Sequence, residues 1–202
     1  FYLTSEKNRI YKLLTQYEIY KKIKNIRGDI YEFGVFKGSS LIRLLTFNAF
    51  IDKYKRKFYA FDNFGSFPVS KYKYEKKFIN KFENNSGYGL HKKKLENFLN
   101  EKKFKNFKLI KGNILKTLPK FLEKNNAKIA LLHIDLDVYD PTYLVLDKLY
   151  KHVVKNGIIM FDDYNTIKGE TKAVDDFYSI NSIKKNFIKS VKVKTPVYFV
   201  KK

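Results

Sequence analysis

Short apolar segments alternate with amphipathic segments along this chain, and most of the apolar ones end in acidic residues, asparagine or glycine. This alternation is typical of a mostly parallel sheet covered by helices on both faces, that is, a doubly wound α/β fold. The predicted strands are residues 29–33, 57–61, 107–111, 129–136 and 158–161. The predicted helices run from a Thr4-Ser5 cap to about residue 23, then over residues 39–53, 90–100, 118–124, 142–153 and 171–178. Residues 187–193 and 196–200 alternate and are predicted to close the sheet as an antiparallel hairpin.

The least regular stretch is residues 65–89, which contains Pro68 and the pair Asn84-Asn85. Loops of more than about 12–15 residues in a compact domain are usually functional or mobile, so we expect a loop or lid here. We see no repeat and no interdomain linker, and we predict a single domain over residues 1–202. Because the chain begins at Phe1, we also expect that it was trimmed from a longer one.

The strong positive charge does not by itself indicate nucleic acid binding. The net charge is +22, yet only four basic residues are arginine and the lysines are spread along the whole chain. Lysine is the poorer residue for bidentate recognition of phosphate or guanine, so we predict no specific nucleic acid partner. The absence of cysteine excludes disulfides and thiolate metal sites. Apolar runs are too short for a membrane span, and we expect a soluble cytoplasmic protein. Whether it is a monomer or a homo-oligomer is left open by the sequence.

A glycine-containing turn follows the first predicted strand, with the sequence Glu32-Phe-Gly34-Val-Phe-Lys-Gly38. It has two glycines rather than the three of the dinucleotide fingerprint, and the acidic residue before it suits a ligand with an ammonium or sulfonium charge. This pattern favours a methyl donor. A tight turn without a ligand is the alternative. Asp62, at the end of the next strand, is placed to accept hydrogen bonds from ribose hydroxyls.

Four acidic residues lie at the ends of two of the predicted strands: Asp135 and Asp137 at one, and Asp162 and Asp163 at the other. Asp135 and Asp137 should share a face by the two-residue alternation of a strand. Carboxylates held together repel, and a cation would relieve the repulsion, so all-oxygen ligands favour Mg²⁺, or else Mn²⁺ or Ca²⁺. Helix caps and solvated strand ends are the alternative. His133 is expected to pack beside this cluster or to support it.

Seven blocks of the chain, in order, resemble the macrocin O-methyltransferase-like proteins, class I S-adenosylmethionine enzymes that methylate sugar hydroxyls on antibiotics. The most specific blocks are Gly28-Asp-Ile-Tyr-Glu-Phe-Gly-Val-Phe-Lys-Gly-Ser-Ser40, Phe61-Asp-Asn-Phe-Gly-Ser-Phe-Pro68, His133-Ile-Asp-Leu-Asp-Val-Tyr-Asp-Pro-Thr142 and Asn156-Gly-Ile-Ile-Met-Phe-Asp-Asp-Tyr164. The likeness covers nearly the whole sequence. It implies the class I methyltransferase fold, with a Rossmann-like sheet.

The resemblance also implies a role for each candidate residue. Glu32, Gly34 and Gly38 would line the methionine part of S-adenosylmethionine, with Ser39 beside them. Asp62 would hold the ribose, and Asn63 or Asn113 the adenine. Asp135, Asp162 and Asp163 would hold Mg²⁺, with Asp137 the candidate general base.

The activity implied is metal-assisted methylation of a hydroxyl on a sugar or a glycosylated small molecule. Two alternatives stay open at this point. One is methylation of a catechol-like phenol, for which a similar carboxylate site works, and the other is a non-catalytic or nucleic-acid-binding relative of the same fold.

Overall fold

The computed structural model describes residues 3–52, 54–189 and 194–202. Over these residues the strands are β1 (Asp29–Phe33), β2 (Phe58–Asp62), β3 (Phe107–Lys111), β4 (Ile129–Ile134), β5 (Val153–Phe161), β6 (Ile188–Lys189) and β7 (Val197–Val200). The helices are α1 (Lys7–Ile23), α2 (Ser39–Ile51), α3 (Lys73–Ser86), α4 (Lys92–Glu101), α5 (Ile114–Leu122), α6 (Tyr139–Leu149) and α7 (Lys168–Ile180). None of these helices combines the length and apolar composition that crossing a bilayer requires.

The strands form one sheet in the order β3-β2-β1-β4-β5-β7-β6. The first five strands in this order are parallel to one another, whereas β7 pairs antiparallel with both β5 and β6. The predicted doubly wound sheet and its closing antiparallel hairpin are therefore confirmed. Within the predicted hairpin segment 187–193, residues 190–193 lie outside the described residues.

Hydrophobic cores lie on both faces of the sheet, because side chains alternate along each strand. On one face Phe33, Leu132 and Phe161 pack in a core with residues of α5, α6 and α7. On the other, Ile30 and Leu131 pack with residues of α1, α2 and α4. The six residues of β4 are all buried, as a central strand covered on both faces requires.

The prediction of an irregular loop over residues 65–89 was wrong in one respect, because the segment contains the helix α3 over Lys73–Ser86. The helix is amphipathic but lies outside both main cores, and it buries only Glu75 and Ile79. A lysine-rich sequence with so few buried positions gives a weak helical signal. Helix α6 also begins earlier than predicted, at Tyr139, because Pro141 is tolerated in the first turn of a helix.

Arg56 links α1, α2 and the start of β1. It lies at the opposite end of the sheet from the acidic residues Asp135, Asp137, Asp162 and Asp163. Its side chain is fully buried, and its guanidinium pairs with Asp52. It also donates to the carbonyls of Ile23, Ile26 and Gly28 at 2.6–2.7 Å. This one side chain therefore satisfies three backbone acceptors and one buried carboxylate.

We expect Arg56→Met to lower the free energy of unfolding by about 3–5 kcal/mol, because it leaves Asp52 buried without its partner. Urea denaturation measures the change. Arg27→Met is the matched control, since Arg27 is exposed, and it should change stability by less than about 0.5 kcal/mol. A loss below about 1 kcal/mol for Arg56→Met would show that this network is not a main support of the fold.

Candidate functional site

A cavity of about 520 Å³ opens at the carboxyl ends of the parallel strands. Its wall includes residues that follow β1, β2, β3, β4 and β5, together with residues of α1, α2 and the 65–89 segment. Ligands of open α/β sheets bind at this edge. Nine of the eleven residues singled out in the sequence line it, namely Gly34, Ser39, Asp62, Asn63, Asn113, Asp135, Asp137, Asp162 and Asp163.

The register of the sheet brings the aspartates together. Residue Ile134 of β4 is paired with Phe33 of β1 and with Phe161 of β5. The ladder continues one residue further on both sides, since Asp135 N–H donates to Phe33 O at 2.8 Å and Asp162 N–H donates to Ile134 O at 2.9 Å. Asp135 and Asp162 therefore leave adjacent strands at the same level.

Gly34 is required at the end of β1 because β4 approaches its backbone closely. A Cβ atom built on Gly34 would lie 1.7 Å from Asp135 O, and its φ of +85° is in the region that favours glycine. Gly38 has the same kind of φ, +81°, but a Cβ there would meet Leu95 of α4 rather than a ligand. Gly38 therefore does not line the cavity.

Asp62 supports the turn between β1 and α2. One carboxylate oxygen, Oδ2, accepts the N–H of Val35 at 2.7 Å and that of Phe36 at 3.1 Å. The other, Oδ1, accepts the N–H of Phe64 and no other hydrogen bond from the described residues. Each carboxylate oxygen has about two acceptor sites, so Oδ1 can take one further donor from the cavity.

Asn63 and Asn113 line the same part of the cavity and also shape its backbone. The Asn63 side chain donates to Ser66 O at 2.8 Å. Asn113 is the N-cap of α5, since its Oδ1 accepts the N–H of Leu115 at 2.9 Å. Its side-chain amide nitrogen makes no hydrogen bond to the described residues. That N–H₂ group remains available as a donor.

Glu32 lies below the cavity rather than in its wall, with only 1% of the residue exposed. Its Oε1 accepts the Ser40 hydroxyl and lies 3.2 Å from His133 Nδ1. Since Ser40 lines the cavity and Glu32 does not, any influence of Glu32 on a ligand would pass through Ser40 or His133. Direct contact between Glu32 and a methionine group stays a prediction.

The four aspartates form two overlapping groups in which ligand atoms lie within 4.8 Å of one another. One group is Asp135, Asp137 and Asp163, and the other is Asp135, Asp162 and His133. The alternation argument for Asp135 and Asp137 does not apply, because β4 ends at Ile134 and Asp137 has a left-handed φ of 62°. This bend, rather than strand geometry, turns both carboxylates towards Asp163.

Lys12, which sequence reasoning missed, reaches the cluster from α1. Its ammonium contacts Asp162 Oδ2. Asp162 Oδ1 has no hydrogen-bond partner among the described residues, and neither has His133 Nε2, which lies 3.6 Å from it. Lys12 therefore covers one oxygen of Asp162 and leaves the other, as well as the Asp135–Asp137–Asp163 group, without an ammonium in contact.

Glu170 is a second residue that sequence reasoning missed. It is fully buried at the start of α7. Its two oxygens accept the N–H of Leu136 at 3.3 Å and that of Asp163 at 3.0 Å, and its own N–H donates to Asp137 O at 3.1 Å. Glu170 thus holds both aspartate-bearing loops in place.

Burial and mutual repulsion control the ionisation of the cluster. Burial, with the charges of neighbouring aspartates, raises the pKa of Asp135, Asp137 and Asp163. Burial and Asp163 likewise raise the pKa of Glu170. Asp162 is the exception: burial alone would raise its pKa, but His133 and Lys12 lower it.

For the two cations beside Asp162, burial and the neighbouring carboxylates shift the pKa in opposite directions. Burial alone would lower the pKa of Lys12, yet the charges of Asp162 and Asp135 raise it to about 12. Burial alone would also lower the pKa of His133, and the neighbouring carboxylates of Asp162 and Glu32 raise it to about 9. At neutral pH the site therefore contains an ionised Asp162 between two cations, next to carboxyl groups that hold protons more strongly than usual.

Solved structures of other proteins share this architecture. The structure of the O-methyltransferase NovP is 22% identical, with a TM-score of 0.80 and coverage of 94% of this chain and 78% of that one. CalS11, described as a TDP-rhamnose 3'-O-methyltransferase of calicheamicin biosynthesis, is 22% identical with a TM-score of 0.71, covering 96% and 80%. An O-methyltransferase from Bacillus cereus in complex with SAH is 13% identical with a TM-score of 0.57, covering 95% and 81%. None of the curated proteins matches this chain.

The sheet order, the reversed strand β7 and the cavity at the strand ends define a class I methyltransferase fold. The family model described as Macrocin-O-methyltransferase (TylF) matches residues 6–201. The chain belongs to this family, and it is an O-methyltransferase.

We expect the free energy of unfolding, measured by urea denaturation in EDTA, to fall as the pH rises from about 5 to about 9. Carboxyl groups with a raised pKa stabilise the fold fully below their ordinary pKa of about 4, and this contribution is lost as the pH rises through the raised values. His133 acts in the same direction, because its contribution is present below about 6.5 and is lost as the pH rises through about 9. Glu170→Gln should flatten the profile. A wild-type stability that rises over this range would contradict the assignment of raised pKa values.

Proposed function

We propose that this protein transfers the methyl group of S-adenosylmethionine to a hydroxyl group of a sugar or a glycosylated small molecule, with a divalent cation assisting. The single observation that carries the proposal is the juxtaposition of two half-sites in one cavity. The turn from Gly34 to Ser39, together with Asp62, forms one half-site. The aspartate cluster forms the other. Residues 1–202 would act as one domain.

The donor half-site suits a nucleoside with a positively charged sulfur. Asp62 Oδ1 retains one acceptor position, which fits a ribose hydroxyl. The free amide N–H₂ of Asn113 and the side chain of Asn63 can pair with adenine nitrogens. The Bacillus cereus structure contains SAH, the product that S-adenosylmethionine leaves after methyl transfer, in a related fold.

The aspartate cluster fits a hard divalent cation such as Mg²⁺. We assign Asp135, Asp162 and Asp163 as its ligands: Asp162 Oδ1 is buried and accepts no hydrogen bond from the described residues, and the carboxyl groups of Asp135 and Asp163 lie within reach of one another. Carboxylate oxygens are the ligands that Mg²⁺ prefers. A cation bound there would supply Lewis-acid polarisation of the acceptor hydroxyl.

Asp137 is the residue that we assign as general base. It lines the cavity in the same group as Asp135 and Asp163, and burial with the charge of Asp163 raises its pKa well above that of an ordinary aspartate. A raised pKa makes the ionised carboxylate a stronger base for the hydroxyl proton. Asp137 would take the hydroxyl proton while the oxygen attacks the methyl group in line with sulfur.

Positioning would supply most of the rate enhancement, because the donor methyl group is already electrophilic. Residues from both ends of the 65–89 segment line the cavity, Phe67 and Tyr88 among them. Its helix α3 is anchored by Glu75, whose carboxylate accepts the N–H of Tyr139 at 2.7 Å and the Ser70 hydroxyl. We propose that this segment is a lid that excludes water and selects the acceptor.

The acceptor class is tested by offering glycosides and catechols to the same enzyme with S-adenosylmethionine and Mg²⁺. Methyl transfer to a glycoside, detected by mass spectrometry, is the expected result. Transfer to catechols alone would identify a phenol O-methyltransferase, because phenols ionise more readily and need less help from a base.

We expect Asp62→Ala to weaken S-adenosylmethionine binding at least tenfold in isothermal titration calorimetry. The substitution removes a charged acceptor, and hydrogen bonds to charged groups are worth roughly 1.5–3 kcal/mol each. It also frees the N–H groups of Val35 and Phe36 from their anchor. Asp147→Asn, at an exposed position on α6, is the control and should bind normally. Unchanged binding in Asp62→Ala would remove Asp62 from the donor site.

We expect Asp163→Asn to lose methyl transfer at least a hundredfold while S-adenosylmethionine affinity changes less than about threefold, because the aspartate cluster is separate from the donor turn. EDTA should abolish wild-type turnover, and added Mg²⁺ should restore it. Calorimetry with Mn²⁺ separates a lost ligand from a lost base. Full activity in EDTA would eliminate the cation from the reaction.

A further inference from the structure

Two arginines that the proposed reaction does not use line the cavity wall formed by α1 and α2. They are Arg9 and Arg43. In a chain whose 42 basic residues include only four arginines, two of the four are in this cavity. Across residues 3–52, 54–189 and 194–202, no carboxylate lies within ion-pair distance of either guanidinium.

Arg43 is held in position by a neutral group. Its Nη1 donates to Gln16 Oε1 at 3.1 Å, and Gln16 is itself only 1% exposed. A glutamine orients the guanidinium without cancelling its charge, in contrast to Asp52, which neutralises Arg56. Burial lowers the pKa of Arg43, the charge of Asp162 opposes this shift without forming an ion pair, and the nearby charge of Arg9 adds to it. Two like charges are therefore kept close together on one wall.

The loaded cavity would hold more positive than negative charge. Four cationic side chains line it against six carboxylates, which are those of Asp62, Glu83 and the four aspartates of the cluster. A divalent cation and the net positive charge of S-adenosylmethionine would turn this deficit of two charges into an excess of one. Because neither guanidinium forms an ion pair with a described carboxylate, Arg9 and Arg43 are the cations available to an anionic group.

We infer that Arg9 and Arg43 bind an anionic group of the acceptor, either a phosphate or a carboxylate, so that the substrate is a charged sugar derivative rather than a neutral glycoside. The inference rests on the proposed function for the identity of the neighbouring groups. Guanidinium groups bind both anions through paired N–H donors, which a lysine cannot reproduce. A neutral acceptor would cover the arginines and leave their charges without compensation.

The test measures binding rather than turnover. Wild-type protein saturated with SAH and Mg²⁺ is titrated calorimetrically with glucose 1-phosphate, glucuronate and methyl glucoside as probes. At least one of the two anionic sugars should bind tenfold or more tightly than the neutral glucoside. Whichever anion binds more tightly identifies phosphate or carboxylate as the recognised group.

Three variants and a control localise the effect. Arg9→Gln and Arg43→Gln should each weaken binding of the anionic sugar by roughly tenfold or more, and the double variant should abolish the preference over the neutral one. Arg27→Gln removes the same charge from an exposed position outside the cavity wall and should bind normally. All variants should keep wild-type SAH affinity, which shows that the donor site is intact.

The outcomes separate this inference from the proposed function. The anion site would be overturned by any of three results: equal binding of anionic and neutral sugars, no binding of either anionic sugar, or an equal loss of binding in Arg27→Gln. None of these results would contradict the proposed function, which S-adenosylmethionine binding tests separately. Conversely, an arginine-dependent preference for an anionic sugar in a protein that does not bind SAH would support the anion site and overturn the proposed methyl transfer.

Discussion

The proposed active site depends on how four aspartates are kept within a few ångströms of one another at the edge of a sheet. Their repulsion is compensated in several ways: Lys12 and His133 pair with Asp162, raised pKa values allow the other carboxyl groups to retain protons, and Glu170 holds the surrounding backbone. Such an arrangement is costly in stability, and it persists only because the neighbouring strands leave the aspartates no other position. A cation bound among these carboxylates would relieve their repulsion.

The cavity combines this acidic region with a basic one. Asp135, Asp137 and Asp163 lie at the strand ends, whereas Arg9, Lys12 and Arg43 belong to α1 and α2, which pack on one face of the sheet. An acceptor between the two regions would present its hydroxyl to the aspartates and its charged group to the arginines. The fold thus provides orientation along the cavity, which in-line methyl transfer requires.

Sequence reasoning succeeded where a local pattern determines structure and missed the residues that long-range packing brings in. The boundaries of β1 and β3 were predicted correctly because both strands are followed directly by a glycine, Gly34 and Gly112. Helix α3 was missed because it buries only two residues, and Lys12 could not be distinguished from the many other lysines. Glu170 gave no signal of its own role, because its partners Leu136 and Asp163 are distant in sequence.

By itself, the sequence determined the class of fold, the edge of the sheet at which the site lies and the identity of the acidic residues, since hydrophobic periodicity and the positions of strand ends are local properties. Only the tertiary structure decided which groups share a surface. It placed Glu32 below the cavity instead of in its wall, put Lys12 on one oxygen of Asp162, and left Arg9 and Arg43 without carboxylate partners among the described residues. These are contacts between segments far apart in the chain, and their distances are set by how helices pack on the sheet, which no local pattern encodes.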